Sequence, residues 1–197
     1  MYEVEVKVRA DHDAVRDRLA DRDADRLRTV EQVDTYYDAP HRDFAETDEA
    51  LRLRRETVVS GGDAGDTDGE PSTETRVTYK GPLVEAESKT REEFETGVAD
   101  AEATEGILAG LGFEPAATVE KDRAFYALDG YTVTLDEIPG LGQFVEVERE
   151  AEEADIESVR EGAYDVLADL GLDPDEQIRT SYLGLLLASQ DSPDNTR

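Results

Sequence analysis

The sequence has no cysteine, only two histidines and only four lysines among its 197 residues. The lack of cysteine excludes disulfides, thiolate metal sites and cysteine nucleophiles. No apolar run approaches the ~20 residues that span a membrane, and the first residues resemble a strand instead of a basic, apolar leader. We therefore expect a cytoplasmic protein of one domain that does not bind membranes.

Basic residues are also scarce, since 50 acidic residues face 21 basic ones and the formal net charge is −29. Such a charge repels nucleic acid, which is therefore not an expected partner. The acidic residues are spread over every segment, and arginine outnumbers lysine 17 to 4. This composition is typical of an extreme halophile, because molar salt shortens the Debye length to about 3 Å and screens surface repulsion. The few lysines then need a separate explanation.

Charged and apolar residues alternate in several segments of strand length. In EVEVKV, the valines at positions 4, 6 and 8 share one face of a strand, and Glu3, Glu5 and Lys7 share the other. The same alternation gathers further charged residues on one face of later segments: Arg52, Arg54, Arg91, Glu93, Glu95, Lys121, Arg123, Asp136, Glu146 and Glu148.

The order of the predicted elements indicates a duplication. A strand, a helix and three strands occur in residues 2–81 and again in residues 89–150. Eight strands in two halves favour a closed antiparallel β-barrel of the α+β class, because closure removes exposed strand edges. Helices would pack outside this barrel, over residues 11–27, 100–113, 155–172 and 181–188. We expect one domain over 1–187, a mobile hairpin loop at 60–75 and a disordered tail at 188–197.

The charged strand faces have two interpretations. An antiparallel sheet can be wet on one face and packed on the other. Basic residues are rare in this sequence, however, and their two-residue spacing favours the interior of a barrel. Buried charges need partners, which a polyanion and divalent cations would supply. Carboxylates suit Mg²⁺ or Mn²⁺, and lysine and arginine neutralise phosphate oxygens, so we predict a metal–triphosphate site.

Seven segments, in order over residues 1 to about 187, resemble the CYTH superfamily: EVEVK, ALRLRR, TYKGP, SKTREEFE, EKDR, TLDEIPGLGQFVEVE and SYLGLL. This superfamily joins class IV adenylyl cyclases with thiamine triphosphatases and other triphosphatases. The resemblance implies an eight-stranded triphosphate tunnel. DTYYDAP, TYKGP and LDEIPGLGQFVEVE, followed by SYLGLL, are most similar to the class IV adenylyl cyclases, which implies conversion of ATP to cyclic AMP and pyrophosphate.

The same resemblance implies roles for individual residues. The metal ligands would be Glu3, Glu5, Asp136, Glu146 and Glu148. The substrate-binding residues would be Lys7, Arg52, Arg54, Lys80, Arg91, Lys121 and Arg123. The implied cofactor is Mg²⁺ or Mn²⁺, and the implied substrate is a nucleoside triphosphate or another triphosphate. Members of the family often dimerise, so the resemblance also allows a homodimer.

Several alternatives stay open at this point. A triphosphatase acting on thiamine triphosphate or tripolyphosphate would use the same tunnel. A non-catalytic binder of nucleotide or polyphosphate would be expected to lack some metal carboxylates. Glu93 is a further candidate for the tunnel, and Tyr36 and Tyr37 either stack on a base or pack the barrel wall, packing being favoured in strands. The apolar helix at 181–188 plugs the barrel end or mediates dimerisation, and His12 is expected to be solvated.

Overall fold

In a computed structural model, which describes residues 2–61, 72–85 and 87–190, eight antiparallel strands close into a barrel with five helices packed outside it. This confirms the predicted fold class. The strands are β1 (Tyr2–Arg9), β2 (Asp25–Asp38), β3 (Ala50–Gly61), β4 (Thr73–Lys80), β5 (Lys89–Val98), β6 (Glu114–Leu128), β7 (Tyr131–Ile138) and β8 (Gly142–Ala151). The helices are α1 (His12–Asp21), α2 (Phe44–Thr47), α3 (Ala101–Gly110), α4 (Ile156–Asp169) and α5 (Tyr182–Gln190).

The strands follow one another around the barrel in the order β1-β5-β4-β3-β2-β6-β7-β8. Strand β1 pairs with β5 on one side and with β8 on the other, which closes the ring. Each half of the chain contains a strand, a helix and three strands in that order, as the predicted repeat requires. The short α2 is an addition in the first half. We call the end with the β6–β7 turn the hairpin end, and the opposite end, where α5 begins, the α5 end.

Local sequence signals explain several element boundaries. Asp11 caps α1, because its Oδ1 accepts hydrogen bonds from the backbone N–H groups of Asp13 and Ala14 at 3.1 and 3.0 Å. Asp129 and Gly130 join β6 to β7 with φ values of 51° and 80°. A type I′ hairpin turn needs positive φ at both central residues, which Asp-Gly adopts readily.

The main apolar core lies outside the barrel, between its wall and the helices. The valines of β1 at positions 4, 6 and 8 point outward and pack with Val15 and Leu19 of α1 and with Ala163 and Leu167 of α4. Tyr131, Val133, Leu135, Val145 and Val147 extend the same cluster over β7 and β8. Since alternate residues of a strand face opposite ways, burying these apolar side chains turns the charged residues inward.

Some boundaries differ from the predictions. Helix α1 ends at Asp21, and Leu27 belongs to β2, where its side chain is exposed. Strands β3 and β4 extend into the predicted loop at 60–75, of which residues 62–71 lie outside the described part of the chain. Helix α5 continues to Gln190, three residues past the expected domain end, and residues 191–197 lie outside the described part. Among the described helices, none combines the length and apolar character needed to cross a bilayer.

Candidate active site

The inward-facing side chains enclose a charged cavity of about 270 Å³. Strands β1, β2, β3, β4, β5, β6 and β8 contribute lining residues, and so do the α2–β3 connection and the start of α5. All four lysines of the sequence, Lys7, Lys80, Lys89 and Lys121, line this cavity. The few lysines of this sequence therefore all lie in the interior of the barrel.

Asp34 of β2 organises one group of cations on the cavity wall. Arg54 donates two hydrogen bonds to its carboxylate, from Nε to Oδ1 and from Nη2 to Oδ2, both at 2.6 Å. Arg52 Nη1 lies 3.4 Å from Oδ2, and Lys121 Nζ lies 4.0 Å from it. Burial alone would raise the pKa of Asp34, but Arg52 and Arg54 outweigh burial and hold this pKa well below its ordinary value. One buried carboxylate thus fixes two guanidinium groups beside a lysine.

Arg123 of β6 organises a second group, which extends over the neighbouring strands β7 and β8. Its guanidinium donates to both oxygens of Asp136 and to Glu146 Oε2. Lys7 Nζ lies 3.6 Å from Glu146 Oε1 and 3.8 Å from Glu5 Oε1. Burial would raise the pKa of Glu146, yet Arg123 and Lys7 hold it well below its ordinary value. Glu146 is therefore an ionised carboxylate at neutral pH.

A third group joins β1, β4 and β5. Lys80 Nζ lies 2.7 Å from Glu3 Oε1 and 2.6 Å from Glu93 Oε2, and Arg52 Nη2 lies 3.9 Å from Glu93 Oε1. Burial would raise the pKa of Glu3, but Lys80 outweighs it and lowers this pKa to about 2. Burial together with the charge of Glu3 raises the pKa of Glu93. The two acids share one lysine.

Three carboxylates lie close together, and fewer than three cations lie near them to balance their charge. One oxygen from each of Glu5, Glu146 and Glu148 lies within 4.8 Å of the others. Burial and the charges of Glu3 and Glu146 raise the pKa of Glu148 to about 8. Crowded carboxylate oxygens are what Mg²⁺ and Mn²⁺ prefer, and a divalent cation would remove the repulsion that raises this pKa. The chemistry of the three side chains thus suits such a cation.

Arg91 and Lys89 of β5 occupy the cavity wall near α2. Arg91 Nη2 donates to Asp48 Oδ2 at 2.6 Å, and Arg91 Nη1 donates to the backbone oxygen of Asp48. Lys89 pairs with Glu5 in the β1–β5 register and is buried. Burial lowers the pKa of Lys89 to about 8. The sequence analysis assigned substrate binding to Arg91 and no role to Lys89, which lies buried beside the candidate metal ligand Glu5.

Tyr182, the first residue of α5, enters the cavity at the α5 end. Its ring packs with Phe144, Val119 and Ile138, and its hydroxyl donates to Asp136 Oδ2 at 2.8 Å. Burial, followed by the charge of Glu146, raises the pKa of Tyr182 well above its ordinary value, so the hydroxyl keeps its proton. Helix α5 therefore closes this end of the barrel, as one of the two interpretations of its apolar run predicted.

The structure brings most of the predicted site residues together around the cavity. The following predicted residues line it: Glu3, Glu5, Lys7, Tyr36, Arg52, Arg54, Lys80, Arg91, Glu93, Lys121, Arg123, Glu146 and Glu148. Asp136 is fully buried behind them and bound by Arg123 and Tyr182, and Glu3 is bound by Lys80. These two acids therefore lie outside the cluster of Glu5, Glu146 and Glu148, and the metal-binding role that we predicted for them stays a prediction.

The structure decides two sequence-based expectations about single residues: it confirms the packing that was favoured for Tyr37, and the expectation of a solvated His12 is wrong. Tyr37 points out of the barrel and packs with Leu53 and Leu108 under α3, because it follows the inward-facing Tyr36 and consecutive strand residues alternate. His12 is buried and not solvated, since its ring Nε2 lies 3.0 Å from the backbone oxygen of Phe144.

Several cavity residues were missed by the sequence analysis. Besides Lys89 and Tyr182 they are Arg28, Asp48, Glu49, Glu56, Arg76, Glu95 and Phe125, of which only Glu95 had been placed on a charged face. Asp34, which is fully buried and binds the lining residue Arg54, was missed as well. The sequence of β2 contains an alternation that could have indicated its inward face, because Gln32, Asp34 and Tyr36 occur at every second position. The outward residues of β2 are mostly polar as well, which concealed the inward face.

A closed antiparallel barrel with a cavity lined by both charge signs defines a triphosphate-tunnel architecture. The model of the CYTH domain family matches residues 1–182, and the chain belongs to this family. A Methanocaldococcus jannaschii protein with the name "Putative adenylate cyclase" is 35% identical over 187 residues, covering 94% of this chain and 98% of that protein.

Two solved structures extend the comparison. A Pyrococcus horikoshii protein is 35% identical, with a TM-score of 0.82 over 94% of this chain and 98% of that one. A Hippeastrum protein, described as a cyclase candidate with a dominant triphosphatase activity, is 18% identical with a TM-score of 0.62 over 95% of each chain. The second likeness concerns the fold alone. Enzymes of the CYTH family bind triphosphates and depend on metal ions.

Proposed function

We propose that this protein is a metal-dependent adenylyl cyclase that converts ATP to cyclic AMP and pyrophosphate inside the barrel. The observation that carries the proposal is the cluster of Glu5, Glu146 and Glu148, set within a closed wall of lysine and arginine side chains. The name of the Methanocaldococcus relative and the similarity of the motifs support the cyclase reaction.

The basic lining would bind the triphosphate. Arginine makes bidentate contacts to phosphate oxygens and lysine provides a compact charge, and both act more strongly where water is excluded. Arg52 and Arg54 are already oriented by Asp34, and Arg123 by Asp136. Substrate binding would therefore need little reorganisation of these three side chains, which favours positioning of the phosphates.

Glu5, Glu146 and Glu148 would hold the Mg²⁺ or Mn²⁺ ion. When bound, this ion supplies positive charge that stabilises the developing charge on the phosphates. In the reaction, the ribose 3′-oxygen forms a bond to the α-phosphorus, the bond from that phosphorus to the bridging oxygen breaks, and pyrophosphate leaves. The 3′-hydroxyl proton passes to the departing pyrophosphate, which balances the step. The protein's part is to keep the 3′-oxygen and the leaving oxygen in line and to exclude water.

A triphosphatase is the second candidate, and the extent of the basic lining favours it. Cations line the cavity from Arg28 and Arg76, toward the hairpin end, to Lys7 and Lys121 at the α5 end. A polyphosphate could therefore be bound along the whole tunnel without any contact to a base. In that reaction water would attack the terminal phosphorus of thiamine triphosphate or tripolyphosphate, and the bond from that phosphorus to the bridging oxygen would break. Thiamine diphosphate or pyrophosphate would leave, and the attacked phosphorus would end as orthophosphate.

Product analysis separates the two reactions. The purified protein is incubated with ATP, tripolyphosphate or thiamine triphosphate in the presence of Mg²⁺ or Mn²⁺, and the products are identified by chromatography. We expect cyclic AMP and pyrophosphate from ATP, and uncleaved tripolyphosphate acting as an inhibitor. Orthophosphate from tripolyphosphate, without cyclic nucleotide from ATP, would replace the cyclase by the triphosphatase.

Two matched variants test whether the barrel interior carries the activity. Glu146→Gln should abolish turnover, because it removes a charge from the three-carboxylate cluster. Glu137→Gln, at an exposed side chain of the neighbouring β7, should retain it. Full activity in EDTA, or equal effects of the two variants, would refute the metal site.

A further inference from the structure

The ring of Tyr182 contacts two lysines from different parts of the barrel. Lys7 Nζ lies 4.1 Å from the ring centroid and Lys121 Nζ lies 5.2 Å from it. The two lysines come from β1 and β6, which are three strands apart in the barrel order. Both distances are within the range of a cation–π contact, so one aromatic ring bridges two ammonium groups.

These two lysines differ from Lys80 in how their charge is balanced. Lys80 lies 2.6 and 2.7 Å from two carboxylate oxygens and is thus neutralised by close ion pairs. Lys7 Nζ lies 3.6 and 3.8 Å from the carboxylate oxygens of its two acidic neighbours, and Lys121 Nζ lies 4.0 Å from that of Asp34. An aromatic face attracts an ammonium group without a carboxylate's full negative charge, which leaves its N–H donors available to an incoming anion.

The hydroxyl of Tyr182 fixes a third part of the wall. It donates to Asp136 Oδ2 at 2.8 Å, and Asp136 accepts two hydrogen bonds from Arg123. Arg123 in turn contacts Glu146 of the three-carboxylate cluster. Through its ring and its hydroxyl, Tyr182 therefore contacts residues that connect the basic wall with the candidate metal site.

A residue that only filled the barrel end would not need these contacts. Val119, Ile138 and Phe144 are each 1% exposed or less and already form an apolar closure with the partly buried Leu183 and Leu186 of α5. Tyr182, in addition, contacts two cations of the cavity wall and a buried carboxylate.

We propose that Tyr182 is a positioning residue that holds Lys7 and Lys121 for the phosphates of the substrate, so that docking of α5 completes the phosphate-binding end of the tunnel. The inference rests on one part of the proposed function, namely that a triphosphate binds in the tunnel. It holds for the cyclase and for the triphosphatase alike, because both must bind the same phosphate chain.

Tripolyphosphate binding, measured calorimetrically in EDTA, tests the proposal without the metal ion and without turnover. Tyr182→Phe keeps the ring and should bind tripolyphosphate within about twofold of the wild type. Tyr182→Leu removes two cation–π contacts and should bind it roughly 5- to 30-fold more weakly. Tyr131→Leu is the matched control, since Tyr131 is a buried tyrosine with Arg149 5.3 Å from its ring but on the outside of the barrel. It should leave the affinity unchanged.

A series of fluorinated variants keeps the test valid even if Tyr182→Leu fails to fold. Replacing Tyr182 by phenylalanine with one, two or three ring fluorines preserves the shape and progressively weakens the attraction for cations. We expect the logarithm of the tripolyphosphate affinity to fall steadily along the series. A flat series, or equal affinities for Tyr182→Leu and the wild type, would overturn the positioning role. Absence of binding to the wild type itself would instead refute the proposed function.

Discussion

The raised pKa of Glu148 makes a quantitative prediction for metal binding. The half-buried Glu148 carboxyl faces Glu3, Glu5 and Glu146, and its pKa is raised to about 8. A cation that binds the three-carboxylate cluster requires Glu148 in its ionised form. Binding of Mg²⁺ should therefore expel a proton from the protein wherever Glu148 is protonated beforehand.

The amount of released proton follows from this pKa. A group with a pKa of about 8 is roughly 90% protonated at pH 7, about half at pH 8 and roughly 10% at pH 9. Metal binding should release that fraction of one proton at each pH. The apparent Mg²⁺ affinity should accordingly rise by up to about tenfold per pH unit below pH 8 and level off above pH 9.

Calorimetric titration with Mg²⁺ in two buffers of different ionisation enthalpy measures the proton release directly. Glu148→Gln cannot ionise and should show no buffer dependence at pH 7. Equal heats in both buffers for the wild type at pH 7, or the same release at pH 9 as at pH 7, would refute the electrostatic reasoning.

Unfolding provides an independent check on the same carboxyl. Its pKa in the folded protein lies above the value of about 4.5 of an unfolded glutamate. The contribution of Glu148 to stability is therefore fully present below about pH 4.5 and is lost as the pH rises to about 8. Glu148→Gln should remove this pH dependence. Its melting temperature should therefore exceed that of the wild type at pH 8, as thermal unfolding would show.

Three further perturbations test separate parts of the structure. Lys7→Met should weaken tripolyphosphate binding roughly 10- to 150-fold, because hydrogen bonds to charged groups are worth about 1.5–3 kcal/mol; an unchanged calorimetric affinity would contradict its role. Phe125→Leu, in the cavity, should weaken ATP binding but not tripolyphosphate binding if the base stacks there, while Phe94→Leu, on an exposed surface, should change neither. A loss of tripolyphosphate affinity in Phe125→Leu would argue against base stacking. Gly162→Ala should lower the melting temperature by several degrees, since its Cβ would lie 2.0 Å from the Tyr131 hydroxyl; an unchanged melting temperature would show that the contact relaxes.

Two-residue alternation made the barrel and most of its lining predictable. Where a strand has apolar residues on one face, as at Val4, Val6 and Val8, the charged face has only the interior left to occupy. The adjacent Tyr36 and Tyr37 illustrate the strength of the same rule, because two neighbouring strand residues cannot both face the cavity. Applied strictly, it would have removed Tyr37 from the candidates.

Cross-strand register and helix docking were not predictable from the sequence. Asp136 was expected to bind metal, but Arg123 lies directly opposite it in the β6–β7 register and binds its carboxylate. Tyr182 lies 34 residues beyond Glu148, and its place between two lysines depends on how α5 packs on the barrel. Such pairings arise from tertiary packing, for which the local pattern contains no signal.

The confinement of every lysine to the barrel has a practical consequence for chemical labelling. Apart from the amino terminus, amine-reactive reagents have no target outside the tunnel, where Lys7, Lys89 and Lys121 are at most 8% exposed. Acylation of this protein therefore measures access to the tunnel, residue by residue, in a mass spectrum. Conversely, immobilisation or crosslinking through lysine would modify the tunnel, because the outer surface offers no lysine. Reagents directed at arginine or carboxylate groups would leave the interior amines unmodified.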